Sequence, residues 1–183
     1  MTDSIDIYMC VEDPSKMALC ADGKNQIKVT VYHNAHPTSV VKLMTYHKVT
    51  PYTKGCSTSP QYLYLDDPCM GGWSYADARD SNVGGQAGGG AGTPCSSFTG
   101  TLSGYTTQVF YVSHSTATQD DINNMGSAFN ELQIAAQVTD ADKVGDTTDQ
   151  NVTGVEEITR TVKIKLIPPL SIDIYMCMED QAK

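Results

Sequence analysis

Residues 4–13 read SIDIYMCVED, and residues 171–180 read SIDIYMCMED. Nine of the ten positions are identical, and the one change sets Val11 against Met178. Chance does not place such a match in a chain of 183 residues. In the first copy Ile5, Ile7, Met9 and Val11 alternate with Asp6, Tyr8 and Cys10. A period of two marks a β-strand with one face on a core. The second copy repeats it with Ile172, Ile174 and Met176. Ile5, Ile7, Met9, Ile172, Ile174 and Met176 are therefore the expected interface residues of a strand written twice.

The sequence between the copies has the same texture. Ile27, Val29 and Val31 alternate with polar neighbours after the turn ADGKN at 21–25. Ser39–Thr50 is rich in β-formers and ends at Pro51, and Gln61–Leu65 is a short aromatic strand. Tyr105–His114 is apolar on both faces at its centre, which suits a central strand. Leu132, Ile134, Ala136 and Val138 alternate, as do Val162, Ile164 and Leu166 within Val155–Ile167. Gln119–Asn130 holds room for one short helix. Residues 66–104 read as a long irregular excursion that includes GGQAGGGAG at 84–92, and 140–153 as a polar loop. About eight strands without βαβ alternation predict an all-β, antiparallel two-sheet sandwich, immunoglobulin-like or jelly-roll. The expected organisation is a β-sandwich domain over 1–170, then the repeated strand at 171–183 beyond the joint Ile167-Pro-Pro-Leu170.

Four arrangements explain the repeat. Residues 171–183 open the next unit of a tandem array, or one copy is a donor strand for a neighbouring subunit. Alternatively the copies occupy pseudo-symmetric places, or the duplication was introduced so that the domain complements itself. The first two imply self-association into an array or homopolymer.

Composition narrows the partners. The net charge is −9, with only 12 Lys and Arg and no basic run. Direct nucleic-acid binding, which leans on phosphate neutralisation, is not expected. No apolar run reaches the roughly 20 residues of a membrane helix, so no membrane insertion is expected. The start, MTDS, lacks the basic and apolar regions of a secretory signal.

The six cysteines Cys10, Cys20, Cys56, Cys69, Cys95 and Cys177 include no C-x-x-C pair. An even number in a Gly- and Thr-rich chain reads as disulfides of unknown pairing, with Cys56–Cys69 as a plausible loop staple. The alternative is buried thiols. Asn151-Val-Thr153 is a glycosylation sequon. Together these lead to the expectation of an extracellular or cell-surface protein read as a mature or cloned segment, the alternative being an intracellular one.

Sites for chemistry are sparse. Asp140, Asp142, Gly145 and Asp146 resemble the opening of a calcium loop, whose carboxylates two residues apart converge on one hard cation. The pattern departs at Val144 and at Asn151, where an EF-hand has a bidentate Glu. Ca²⁺ is the one cofactor to consider, against a solvated acidic turn. His33, His36 and His47 lack an assignable partner ligand and read as surface or turn histidines. Ser113, His114 and Ser115 are adjacent on a strand and point to alternate faces, so they form no nucleophile–base pair. No nucleophile-elbow motif is present, and the expectation is a protein that is not an enzyme. Tyr62, Tyr64, Trp73 and Tyr75 offer an aromatic platform for sugars or a partner chain, against ordinary strand and core use.

Residues 170–180, LSIDIYMCMED, resemble the last jelly-roll strand of picorna-like virus capsid proteins. The resemblance covers about a dozen residues, implies a shell protein, and does not account for the N-terminal copy. The leading expectation is a structural subunit of an extracellular filament, appendage or surface assembly, joined through the duplicated strand. A jelly-roll capsid or shell protein and a secreted carbohydrate-binding module are the alternatives.

Overall fold

The structure is a computed structural model that describes residues 7–11, 18–35, 39–77, 104–139, 155–157 and 162–170. Nine strands are present among them: β1 (Ile7–Val11), β2 (Ala18–Cys20), β3 (Ile27–His33), β4 (Val40–Thr45), β5 (Trp73–Asp77), β6 (Thr106–His114), β7 (Glu131–Thr139), β8 (Val155–Glu157) and β9 (Val162–Ile167). They form two sheets. The first has the order β1-β3-β6-β5, and the second β2-β9-β7-β4 with β8 also on β7.

The alternating residues meet between the sheets. Ile7 and Met9 from β1, Val29 and Val31 from β3, and Phe110 and Val112 from β6 face Leu43, Leu132, Ile134, Ile164 and Leu166 of the second sheet in one apolar core. The patterns in β1, β3, β7 and β9 are thus those expected. β3 departs in one respect: Thr30 and Tyr32 of its other face are buried as well, Tyr32 against Cys10 with Tyr8 and Tyr105 packed around them, and His33, in phase with Val29 and Val31, is buried, which corrects its reading as a surface or turn histidine.

Four expectations need correction. All pairings are antiparallel except β2 with β9, which is parallel, Leu19 lying opposite Leu166. The irregular excursion is interrupted by β5, whose Trp73–Asp77 pairs with Phe110–His114 of β6. Gln61–Leu65 is not a full strand but is held by bridges at Met44–Tyr64 and Val49–Gln61. The single helix is two, α1 (Gln119–Met125) and α2 (Ser127–Asn130), separated by Gly126 at φ 79°. A side chain is strained at that φ, so the break falls where glycine permits it. Thr118 and Asp121 form a reciprocal capping box that starts α1.

Cys56 and Cys69 are joined by a disulfide, as the loop-staple reading expected. It closes the β4–β5 connection over a sequence separation of 13. Cys10 is also disulfide-bonded. Cys20 is a free thiol, which corrects the expectation that all six cysteines pair. Cys95 and Cys177 lie outside the described residues.

Candidate interaction surfaces

β1 is the described part of the first copy of the repeat, and it lies at an edge. Among the described strands it pairs only with β3, with Ile7 opposite His33, Met9 opposite Val31 and Val11 opposite Val29. Strand alternation divides its residues between two faces. Ile7 and Met9 enter the main core at 1% and 2% exposure. Tyr8 and Cys10 lie on the opposite face, where Cys10 and Tyr32 are buried together and Tyr8 and Tyr105 pack against them. The Tyr8 and Tyr105 rings are 5.8 Å apart. Val11 is half-buried at the end of the strand. Ile5 and the second-copy residues Ile172, Ile174 and Met176 lie outside the described residues.

The aromatic platform divides. Trp73 is 3% exposed, its Nε1–H donating to the Phe129 carbonyl at 2.9 Å, so it is a core residue. Tyr75 is half-buried and edge-on to Phe110 at 5.6 Å. Burial, with the Asp66 charge second, pushes its hydroxyl up to about 12. Tyr62 and Tyr64 remain at the surface, because the bridges along β4 turn Leu63 and Leu65 inward and the tyrosines outward. Each meets a lysine: Lys42 Nζ stands 4.7 Å from the Tyr64 ring centroid and Lys48 Nζ 5.7 Å from that of Tyr62. Both distances are within cation–π range. Tyr64 also donates its hydroxyl to Gln137 Oε1 at 2.8 Å.

These rings lie on the outer face of the second sheet. Alternation puts Lys163 and Lys165 of β9 on the same side, exposed, and Lys163 pairs with Glu131. A cleft of about 300 Å³ opens here, lined by His47, Lys48, Val49, Leu132, Gln133 and Lys163 among others. The lysine–tyrosine pairs were not legible in the sequence, since Lys42 meets Tyr64 only through the β4 register.

The calcium candidates Asp140, Asp142 and Asp146 lie outside the described residues, as do Asn151 and His36. Among the described residues no three His, Cys, Asp or Glu side chains gather as a metal site would require. His33 is buried and His47 exposed, so they share no site. His114 is buried, its Nδ1 at 2.7 Å from the Ser115 carbonyl oxygen. Burial holds it below its ordinary value of 6.5. Among the described residues, no helix is long and apolar enough to cross a membrane.

No family model, curated protein or solved structure matches this chain.

Proposed function

We propose that this chain is a structural, non-catalytic subunit whose neighbours are joined through the duplicated strand. Residues 171–180 of one copy would take the place of β1 on β3 of the next. One observation carries the reading. The repeat retains four of the five residues with which β1 meets the sandwich: Ile7, Tyr8, Met9 and Cys10 recur as Ile174, Tyr175, Met176 and Cys177. The single substitution, Val11 to Met178, falls on the half-buried end of the strand. Among the described strands β1 pairs with β3 alone, the position that an added strand from another chain would take.

The strand order supports the immunoglobulin-like class over the jelly-roll. With β2 set apart, the first sheet reads first, second, fifth and fourth strand, and the second reads third, sixth and seventh once β8 and β9 are taken together. That is the ABED and CFG arrangement. β1 and β2 are then the two halves of a first strand that changes sheets, which accounts for the parallel β2–β9 pairing. The B–F disulfide of antibody domains has no counterpart, since neither β3 nor β7 contains cysteine. The Cys56–Cys69 disulfide supports an oxidising, extracellular or surface setting.

Negative-stain electron microscopy of the full chain beside a truncation lacking 171–183 tests the proposal. Filaments that vanish on truncation are expected. Closed shells would favour the capsid reading, and uniform monomers from both would overturn assembly through this strand.

A further inference from the structure

The outer face of the second sheet has a charge opposite to that of the chain. The whole protein is at −9, yet four of its twelve basic residues, Lys42, Lys48, Lys163 and Lys165, stand exposed on or beside this face. β4, β7 and β9 together contribute one carboxylate, Glu131, and it is committed to Lys163. β8 pairs with β7 at Gln137–Thr139, with Glu157 opposite Gln137 at the margin of the patch.

Two features make the patch more than a solvated lysine face. The cations are interleaved with exposed tyrosines: Lys42 stands over Tyr64 and Lys48 over Tyr62. The side chains are also held in rows. Lys163 and Lys165 are two residues apart on β9, and Tyr62 and Tyr64 two apart on the segment bridged to β4, across β7 and β4 from them, which spaces the members of each pair by roughly 7 Å. A flat face with ring surfaces, point cations at regular intervals and the amides of Gln133 and Gln137 between them has the chemistry of a sugar-binding platform for an acidic chain. Tyrosine presents an apolar ring and a polar tip, lysine a point charge for carboxylate or sulfate, and glutamine both a donor and an acceptor for hydroxyls.

We infer that this face binds an anionic polysaccharide, its sugar rings on Tyr62 and Tyr64 and its acidic groups on Lys42, Lys48 and Lys165, the cations not paired with Glu131. Charge complementarity selects the acid. The charge density selects a glycan over a nucleic acid, because duplex DNA carries one charge per roughly 1.7 Å, and a chain at −9 repels so dense a polyanion. A glycan acidic only at sugar-ring intervals is satisfied by three lysines. The site is on the opposite sheet from β1, so it stands whether or not the chain assembles through its repeat.

The test is binding of the full chain to hyaluronate, to polygalacturonate and to neutral dextran at low salt, with poly(U) as the nucleic-acid control. Binding to hyaluronate or polygalacturonate but not to dextran is expected. Each of Lys42→Gln and Lys165→Gln should weaken it by about fivefold. The corresponding Lys→Arg variants should retain binding, and Tyr64→Ala should weaken it at unchanged charge. No binding to either acidic glycan overturns the proposal, as does equal binding by the variant that combines Lys42→Gln, Lys48→Gln and Lys165→Gln. Poly(U) binding as tight as the glycans would also overturn it, in favour of a general polyanion surface. Thermal melting of each variant confirms that these exposed substitutions leave the fold in place.

Discussion

Trp73 stands edge-on to His114 across the β5–β6 pairing, with ring centroids 5.2 Å apart and planes at 86°. Around this contact the disulfide-closed connection, the edge strand β5 and the helical segment are fastened together, since Trp73 Nε1–H also reaches the Phe129 carbonyl at the end of the helices. Trp73→Ala removes a buried ring and leaves that carbonyl without its donor. A loss of about 3–5 kcal/mol in unfolding free energy is expected from urea denaturation. Polygalacturonate binding by the folded fraction should be unchanged, because Trp73 is not at the surface.

The same histidine sets a pH dependence. His114 is buried and held below its ordinary 6.5, chiefly by desolvation. The unfolded chain therefore takes up its proton at a higher pH than the folded chain does. Stability from this group is complete above about 6.5 and is lost as pH falls through the lowered folded value. Urea midpoints measured from pH 8 to pH 5 should decline in that window. His114→Gln should be less stable at pH 8 and should show a shallower decline; an unchanged slope would show that other groups dominate.

Gly72 is the close neighbour of this site. Its φ is 111°, and an added Cβ would stand 2.3 Å from Ser115 Oγ and 3.0 Å from His114 Cε1. Both the backbone conformation and the space exclude a side chain. Gly72→Ala should cost on the order of 1–3 kcal/mol, read as a lowered melting temperature. A melting temperature equal to that of the parent would mean that this turn relaxes freely.

The Cys56–Cys69 link acts mainly on the unfolded chain by closing a loop with a separation of 13. Replacing both cysteines by alanine should cost roughly 3 kcal/mol in the chain-entropy account. Peptide mapping under non-reducing conditions should recover the 56–69 pair, a free Cys20 and an oxidised Cys10.

What was legible in the sequence follows from how each element is buried. β1, β7 and β9 present one face to the core, so Ile7 and Met9, Leu132 and Ile134, and Ile164 and Leu166 announce themselves by alternation. β2 has only three residues, too few for a period. β5, WSYAD, is an edge strand that buries only Trp73 fully, so its pattern fades. The flanking Gly71-Gly72 and the aromatic pair Trp73 and Tyr75 were the usable signal. The lysine–tyrosine face required knowing which strands are neighbours, and Lys42 and Tyr64 are 22 positions apart in sequence.

The repeat makes the sharpest prediction, and it concerns β3 as an acceptor. If residues 171–180 are built to occupy the β1 position, a chain trimmed to 14–170 keeps the core but leaves the β3 edge open and the pockets of Ile7 and Met9 unfilled. A synthetic SIDIYMCMED peptide should then bind it and raise its melting temperature, as SIDIYMCVED should. Ile174→Asp in the peptide would put a charge where β1 buries Ile7 at 1% exposure, and it should abolish the effect. Asp at position 178 should be better tolerated, because the matching Val11 is only half-buried. Both peptides should be tested with Cys→Ser in place, so that binding is read without thiol exchange. Stabilisation by the first-copy peptide alone would mean that the second copy serves another place in the assembly, and stabilisation by the Asp peptide would mean that the pairing does not follow the β1 register.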